Sequence, residues 1–281
     1  MSAGVLFDAP GPRTVRRHRI YTALTALGLL AVGAFVVWRL AAEGELAYSE
    51  WEPLVTPRYM QALLNGLIDT VTMAVSAIVL SIVLGIALGL GKLSDHGWVR
   101  WPCWAVVEFF RAVPLLLLMI FFFYLWFVNS GSTGAYWSVV LALMLYNGAV
   151  LAEGFRAGIN AVPAGQSEAA YALGMRKSQV VRLVQLPQAV KIMLPAIISQ
   201  MVVILKDTSL GYAVLAPGLS TVGRQIYTQF GNQLQTVTVV ALLYITLNLL
   251  LTWVATLVQK RLVGEKSPMD TERAGNQQGG A

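Results

Sequence analysis

The chain has 281 residues, 57% of them hydrophobic and 12% charged, with a formal net charge of +6. Soluble domains carry about 25% charged residues, so this composition excludes an ordinary soluble domain, and continuous rather than alternating apolar runs argue against a β-barrel. One cysteine, Cys103, rules out an intrachain disulfide, two histidines, His18 and His96, leave too few ligands for a His/Cys metal cage, and basic residues gathered in alternate loops argue against nucleic acid.

Residues 1–19 form a polar tail ending in RTVRRHR. Residues 20–40 read as a first membrane span, retained rather than cleaved: a signal peptide is the alternative, but its apolar core runs about 7–15 residues and this one is longer. Residues 41–64 form an outer loop made acidic by Glu43, Glu45, Glu50 and Glu52, in which Pro53 and Pro57 break any long helix. A second span covers about 65–91, where Gly85, Gly89 and Gly91 have the small-residue spacing that lets a neighbouring backbone approach. The loop KLSDHGWVR is followed by an interfacial stretch with Trp98, Trp101 and Trp104, then by the apolar run VPLLLLMIFFFYLWFV. Pro114 kinks that helix or marks its start. NSGSTGA is a tight loop before a fourth span at 136–153. The polar segment 154–187 leads to a fifth span at 188–205, a non-spanning loop at 206–235, a sixth span at about 236–258 and a polar tail from 261.

Six spans put the basic residues on one side. Arg16, Arg17, Lys92, Arg100, Arg156, Arg176, Lys177, Arg182, Lys260 and Arg261 share it, whereas the other side holds Arg39, Arg58, Lys206 and Arg224 with the acidic cluster. The positive-inside rule then makes both termini and the 154–187 segment cytoplasmic.

That segment contains EAAYALGMRKSQVVRLVQLP, residues 168–187. Pro163 and Gly165 end what precedes it. Ser167 is placed to cap a short helix with Glu168 in its first turn, Gly174 reads as the residue just past its end, and Ser178 caps a second helix ending at Pro187. Ala169, Ala170 and Leu173 share one small apolar face. A loop lying on lipid headgroups is the alternative, aided by Arg176, Lys177 and Arg182; alanines bind lipid weakly, which favours a protein groove.

The spacing Glu168-Ala169-Ala170, Gly174, Val184, Leu186, Pro187 resembles the EAA loop of bacterial ABC importer permeases, with Val184 where the family more often has isoleucine. Glu153, Arg156, Gly158, Pro163, Gly165 and Gln166 resemble the flanking pattern of the polar amino-acid uptake subfamily, as do KDTSL at 206–210 and NGLIDTV at 65–71, while Ala112 replaces the usual glycine of an Arg-Gly-x-Pro segment. In general appearance the chain is most similar to actinobacterial glutamate-uptake permease subunits. The resemblance implies an all-α polytopic protein of about six transmembrane helices, one N-terminal helix plus a five-helix type I permease core at 65–260 with its coupling loop at 163–187. It implies that Glu168, Ala169, Ala170, Gly174, Leu186 and Pro187 dock an ATP-binding cassette ATPase dimer that binds ATP and Mg, this chain holding no cofactor itself. A second permease subunit, paralogue or self, and an external solute-binding protein complete the implied assembly, with glutamate or another acidic amino acid favoured as cargo. No G-x-x-x-x-G-K-[ST] stretch occurs in the chain, in keeping with hydrolysis by another subunit.

Two rival classes are a secondary transporter or channel and an intramembrane enzyme. No convincing internal repeat or filter motif supports the first. Ser76, Ser81 and Ser199 lie in or near spans without a histidine among them, and serine in a span is more often interhelical glue. Polar residues in the membrane are the candidates for a substrate pathway. Glu108 and Arg111 at i, i+3 form either a structural ion pair or a pathway site where the planar guanidinium suits a carboxylate. Tyr146, Asn147, Thr208 and Ser209 either line the pathway or serve as packing.

Overall fold

The computed structural model describes residues 12–263; the expectations for the outer parts of both tails fall outside them. The chain divides into two units, Met1–Val55 and Thr56–Ala281. In the first, α1 (Pro12–Ala42) is long and apolar enough to cross a membrane, and its last turn carries the i, i+4 pair Arg39–Glu43 at 2.6 Å. The short helix α2 (Tyr48–Val55) follows and accommodates Pro53 in its interior, so Pro53 does not break it and only Thr56 separates it from the next helix.

The second unit begins with α3 (Pro57–Lys92), whose Pro57 sits in the first turn, where its missing N–H costs nothing. This helix starts about eight residues before the expected span. Next come α4 (Gly97–Ala112), carrying the exposed Trp98, Trp101 and Trp104, and α5 (Leu115–Phe122), which starts directly after Pro114 and is extended by a π-turn, Phe123–Phe127. α6 (Gly131–Asn160) follows. Leu115–Asn160 is one of five helical stretches apolar enough to span, yet it doubles back. Phe122 and Val139 lie in one core cluster, although 17 residues of straight helix would set them about 25 Å apart. Gly131, at φ 58° and ψ −140°, makes the reversal, and a Cβ on Gly134 would come within 2.8 Å of the Phe127 Cβ. Split there, the stretch becomes a short arm, residues 115–127, and a long one, Gly131–Asn160, so the five apolar stretches fold as six helical arms among the described residues.

The centre of the second unit is the α3–α6 pair. Apolar side chains gain nothing by leaving lipid tails for each other, so close packing decides the contact. A Cβ on Gly85 would lie 2.8 Å from the Leu151 Cβ, and one on Gly89 would lie 3.0 Å from the Ala152 carbonyl oxygen. Ser81 Oγ donates to the Leu143 carbonyl at 3.3 Å, and Ser76 Oγ lies 3.0 Å from the Tyr136 hydroxyl. Ser76 and Ser81 thus join α3 to α6 as helix glue, whereas the exposed Ser199 bonds only its own helix, at the Pro195 carbonyl. Gly91, the third glycine of the stripe, faces Cys103 of α4 instead.

Beyond α6 lie α7 (Ala164–Ala172), α8 (Lys177–Gln179), a π-turn at Val180–Gln185 and α9 (Leu186–Asp207). The 206–235 loop is more ordered than its sequence suggested. A 3-10 turn, Thr208–Val214, leads into α10 (Leu219–Phe230), which buries Leu219, Gly223 and Ile226. The Leu219 N–H donates to Thr70 Oγ at 3.0 Å, and Gly66 lets α10 approach α3 closely. The last helix is α11 (Gln233–Val263).

Candidate functional site

Three polar features stand out. The first is the α6–α9 connection. α6 ends at Asn160, and Pro163 with ψ 132° is the residue before α7. Helix α7 therefore starts four residues before Glu168. Ser167 is not a cap: inside the helix its Oγ donates to the Ala164 carbonyl at 2.8 Å. Gly165 is likewise inside α7 rather than a breaker, and Glu168 lies in the second turn, where the dipole helps less. Proline wins the start because its extended ψ and fixed φ preset the entry.

The other end matches its sequence. Gly174 takes φ +76° just past the helix. Its N–H donates to the Tyr171 carbonyl at 2.9 Å, and the Met175 N–H donates to the Ala170 carbonyl at 3.2 Å. This bond pair is the Schellman arrangement, which satisfies the last carbonyls of the helix. Ala170 is buried where α7 packs on the 180–185 turn, and Val180 is buried with it. Glu168 and Ala169 remain exposed, Tyr171 is about half exposed, and Leu173 is 83% exposed at the tip.

Pro187 does not end the second helix. The chain runs helically from Lys177 to Asp207, with Pro187 in the first turn of α9. Proline removes one ladder bond and crowds the carbonyl four residues back; the π-turn immediately before it absorbs both. The helix begins after Arg176 rather than at Ser178, because the Gln179 side chain accepts the Arg176 N–H at 2.8 Å. Leu186 points inward to a cluster with Ile159, Val162 and Ala189. Lys177 pairs with Asp95 in the α3–α4 turn, which ties the connection to a second loop. That bond with Lys177 holds the Asp95 carboxyl below the usual carboxylate range.

The second feature is a charge network at the same end. The Lys92 side chain is 6% exposed, pairs with Glu153 of α6 and lies 3.6 Å from Glu108 of α4. Arg111 is 3.5 Å from Glu108, and Arg156 is 3.0 Å from Glu153. Glu108 and Arg111 thus belong to a five-residue network joining α3, α4 and α6, beside a cleft of about 460 Å³. Lys92 was read as a loop cation, because nothing local in the sequence announces a partner 61 positions away.

The third feature is a groove of about 520 Å³ between α9 and α11, lined by Lys206, Ser209, Tyr244, Asn248 and Thr252 among apolar walls. Of the other residues singled out, Asn147 is fully buried; its Nδ2 donates to the Leu143 carbonyl at 3.0 Å and its Oδ1 accepts from Gln200 at 2.5 Å, locking α6 to α9. Tyr146 is half-buried against the main core, and Thr208 is buried, bonding the Leu205 carbonyl. Ser209 alone of that set lines the groove. The signal for the groove was present in the sequence as Tyr244, Asn248 and Thr252 at i, i+4, i+8 in an apolar span.

The chain is similar in sequence and fold to known proteins. Residues 77–264 match the family described as binding-protein-dependent transport system inner membrane component. The chain is 41% identical over 227 residues to the glutamate transport system permease protein GluD of Corynebacterium glutamicum, covering 79% of this chain and 83% of that one. It is 35% identical to the arginine transport system permease protein ArtQ of Bacillus subtilis, over 71% of this chain and 92% of that one. A crystal structure of an amino acid ABC transporter with histidines superposes with a TM-score of 0.66 at 27% identity, over 73% of this chain and 95% of that chain.

Proposed function

This chain belongs to the family of binding-protein-dependent transport system inner membrane components, and from that premise we propose how it works as the permease subunit of an ATP-driven amino-acid importer. It is the membrane subunit; ATP is hydrolysed by a separate ATPase. Glutamate is the favoured cargo, because a glutamate permease is 41% identical over most of both chains. Both termini and the α6–α9 connection face the cytoplasm, in keeping with the excess of basic residues at that end.

One observation carries the mechanical reading. Helix α7 closes in a Schellman turn, with Leu173 exposed at its tip and Ala170 buried against the chain's own next turn. An exposed leucine on a rigid, small-residue helix suits a groove in a partner protein. Glu168, Ala169, Leu173 and Gly174 dock the ATPase, which holds ATP and Mg. Leu186 and Pro187 join the docked element to α9, so ATPase closure is passed to the spans. The Asp95–Lys177 pair carries the same movement to α3 and α4. A second permease subunit, identical or paralogous, completes the pathway, and an external solute-binding protein delivers the cargo.

The test is reconstitution with ATPase and solute-binding protein in liposomes. ATP inside should drive concentrative glutamate uptake that stops without the solute-binding protein. Uptake driven by an ion gradient without ATP would overturn the reading. Orientation is tested in a chain lacking Cys103: cysteines at Glu45 and Ser132 react with an impermeant thiol reagent in sealed cells, and one at Lys177 does not.

A further inference from the structure

The cleft beside the charge network has one charged wall and one aromatic wall. Lys92, Arg100 and Arg156 line it against Glu108 and Glu153, which leaves one net positive charge, and Arg111 adds another 3.5 Å from Glu108. Both carboxylates are taken, Glu153 by Lys92 and Arg156, and Glu108 by Arg111 with Lys92 at 3.6 Å. Arg156 spends Nε and Nη2 on Glu153 Oε2 and keeps further N–H donors on a half-exposed side chain. Arg100 is exposed and forms no ion pair within 4.0 Å among the described residues; its charge acts on Asp95 only at longer range. The other wall is Trp101 and Trp104, both exposed, whose rings meet edge to face at 5.9 Å.

These walls select their ligand. Spare cations without a spare carboxylate call for an anion. A cationic ligand is repelled, and a soluble anion leaves two indoles unused. Tryptophan favours the level of the lipid headgroups, and basic pockets between helices on the cytoplasmic side hold anionic headgroups. Helix α4 has the surface for that level. Val107 is fully buried against Leu88 of α3 and Ala149 of α6, whereas Trp98 and Phe109 are exposed with the two cleft tryptophans. An anionic phospholipid brings a phosphodiester for the arginines and glycerol esters with acyl chains for the indoles. The cleft, at about 460 Å³, falls in the range of small-molecule pockets, about 300–1,000 Å³, and has room for one headgroup.

We propose that this cleft holds the headgroup of one anionic phospholipid of the cytoplasmic leaflet, with the phosphate between Arg100 and Arg156 and the glycerol region against Trp101 and Trp104. The site rests on the orientation given above, which the cysteine labelling tests by itself, and not on what is transported. The bound lipid bridges α4 to α6 beside the turn that Asp95 ties to Lys177, so the α6–α9 connection becomes sensitive to the charge of the leaflet.

The experiment titrates the full chain in non-ionic detergent with phosphatidylglycerol or phosphatidylcholine of the same acyl chains, and reads retained lipid by native mass spectrometry. Phosphatidylglycerol should bind saturably and at least tenfold more tightly than phosphatidylcholine. Arg100→Gln should weaken phosphatidylglycerol about fivefold, Arg100→Lys should restore it to within about twofold, and Trp101→Ala should weaken both lipids. Arg100 and Trp101 are exposed, so these variants keep the fold, which an unchanged thermal midpoint checks. Arg182→Gln, exposed but outside the cleft, should bind as the wild type does. Equal affinity for the two lipids, wild-type affinity in Arg100→Gln, or an equal loss in Arg182→Gln overturns the site. Displacement of phosphatidylglycerol by millimolar inorganic phosphate overturns it in favour of a free ion. Ready disulfide formation between copies carrying Trp98→Cys, in a chain lacking Cys103, overturns it in favour of a second copy on this face. None of these results bears on the importer reading, which liposome uptake tests separately.

Discussion

Gly174 offers a test in which size and backbone conformation predict opposite orders. A Cβ built there meets nothing within 4 Å, so substitution carries no steric cost. The whole penalty comes from φ +76°. Holding an ordinary L-residue in the left-handed region costs roughly 1–2 kcal/mol, less for asparagine and more for a β-branched residue. The two backbone bonds of the turn contribute about 1 kcal/mol each, so the closed turn is favoured by about 2 kcal/mol. Gly174→Ala removes about half of that and leaves the turn mostly closed. Gly174→Val removes about all of it and leaves open and closed forms near parity. If the ATPase docks only on the closed turn, its affinity falls about twofold for valine and less for alanine. Gly174→Pro cannot reach the required φ and also deletes the N–H that bonds Tyr171, so the open form should dominate and affinity should fall at least about tenfold. Gly174→Asn should stay near wild type although asparagine is larger than alanine. The assay is titration of fluorescent ATPase onto each variant in nanodiscs. Ranking by size, with asparagine worse than alanine, or wild-type affinity in the proline variant, would refute the reasoning.

Three further outcomes are expected. Asp95→Asn should loosen the α6–α9 connection, read as faster hydrogen exchange at residues 174–182; since the Asp95 carboxyl is held below its ordinary value, the pair's contribution is complete above about pH 4 and is lost only as pH falls through that depressed value, so exchange corrected for its intrinsic rate should not change between pH 6 and 8. Lys92→Met should destabilise the second unit by about 1–2 kcal/mol, because the partly buried Glu153 loses a charged hydrogen bond but keeps Arg156, and unfolding in detergent would show it; an unchanged midpoint would place that pair in contact with water. Gly85→Leu should lower the thermal midpoint and cost about 1–3 kcal/mol, because the new side chain meets Leu151 and the Gly148 carbonyl where α3 and α6 nearly touch, whereas Gly28→Leu, whose Cβ has open space, should not.

The elements that were legible are those whose cause is local. A span announces itself by length and hydropathy, although α3 and α6 start about eight and about five residues before the expected spans, the latter inside the NSGSTGA stretch read as a loop; Pro114 marks a helix start by its ring, and Gly174 a helix end by the lack of a Cβ. Gly85 and Gly89 were legible as an interface because small residues at that spacing have one common use in lipid. The start of α7 was misread because two acceptable starts compete within five residues. Ser167 and Glu168 make a good local cap, but Pro163 starts the helix first, and once helical the serine turns its hydroxyl back to Ala164. Pro187 was misread for the opposite reason. A proline normally stops a helix, and only the π-turn at Val180–Gln185 lets this helix continue.

Pairing across the fold is the part no local pattern carries. Lys92 and Glu153 are ordinary charges in sequence, and each has its meaning only because Gly85 and Gly89 bring α3 against α6 and so set the two helix ends side by side. The same holds for the α9–α11 groove. Tyr244, Asn248 and Thr252 show a polar face on α11, but a polar face in a span has three uses: glue to another helix, a water path or a ligand. Asn147 has the same chemistry on α6 and is fully spent on Leu143 and Gln200. Asn248 bonds its own helix at the Tyr244 carbonyl and leaves its oxygen without a donor among the described residues. The contrast between two asparagines in two spans, one joined to a neighbouring helix and one bonded only within its own, has no counterpart in the local sequence. It depends on which helices are neighbours, and that is settled by glycines far from either asparagine.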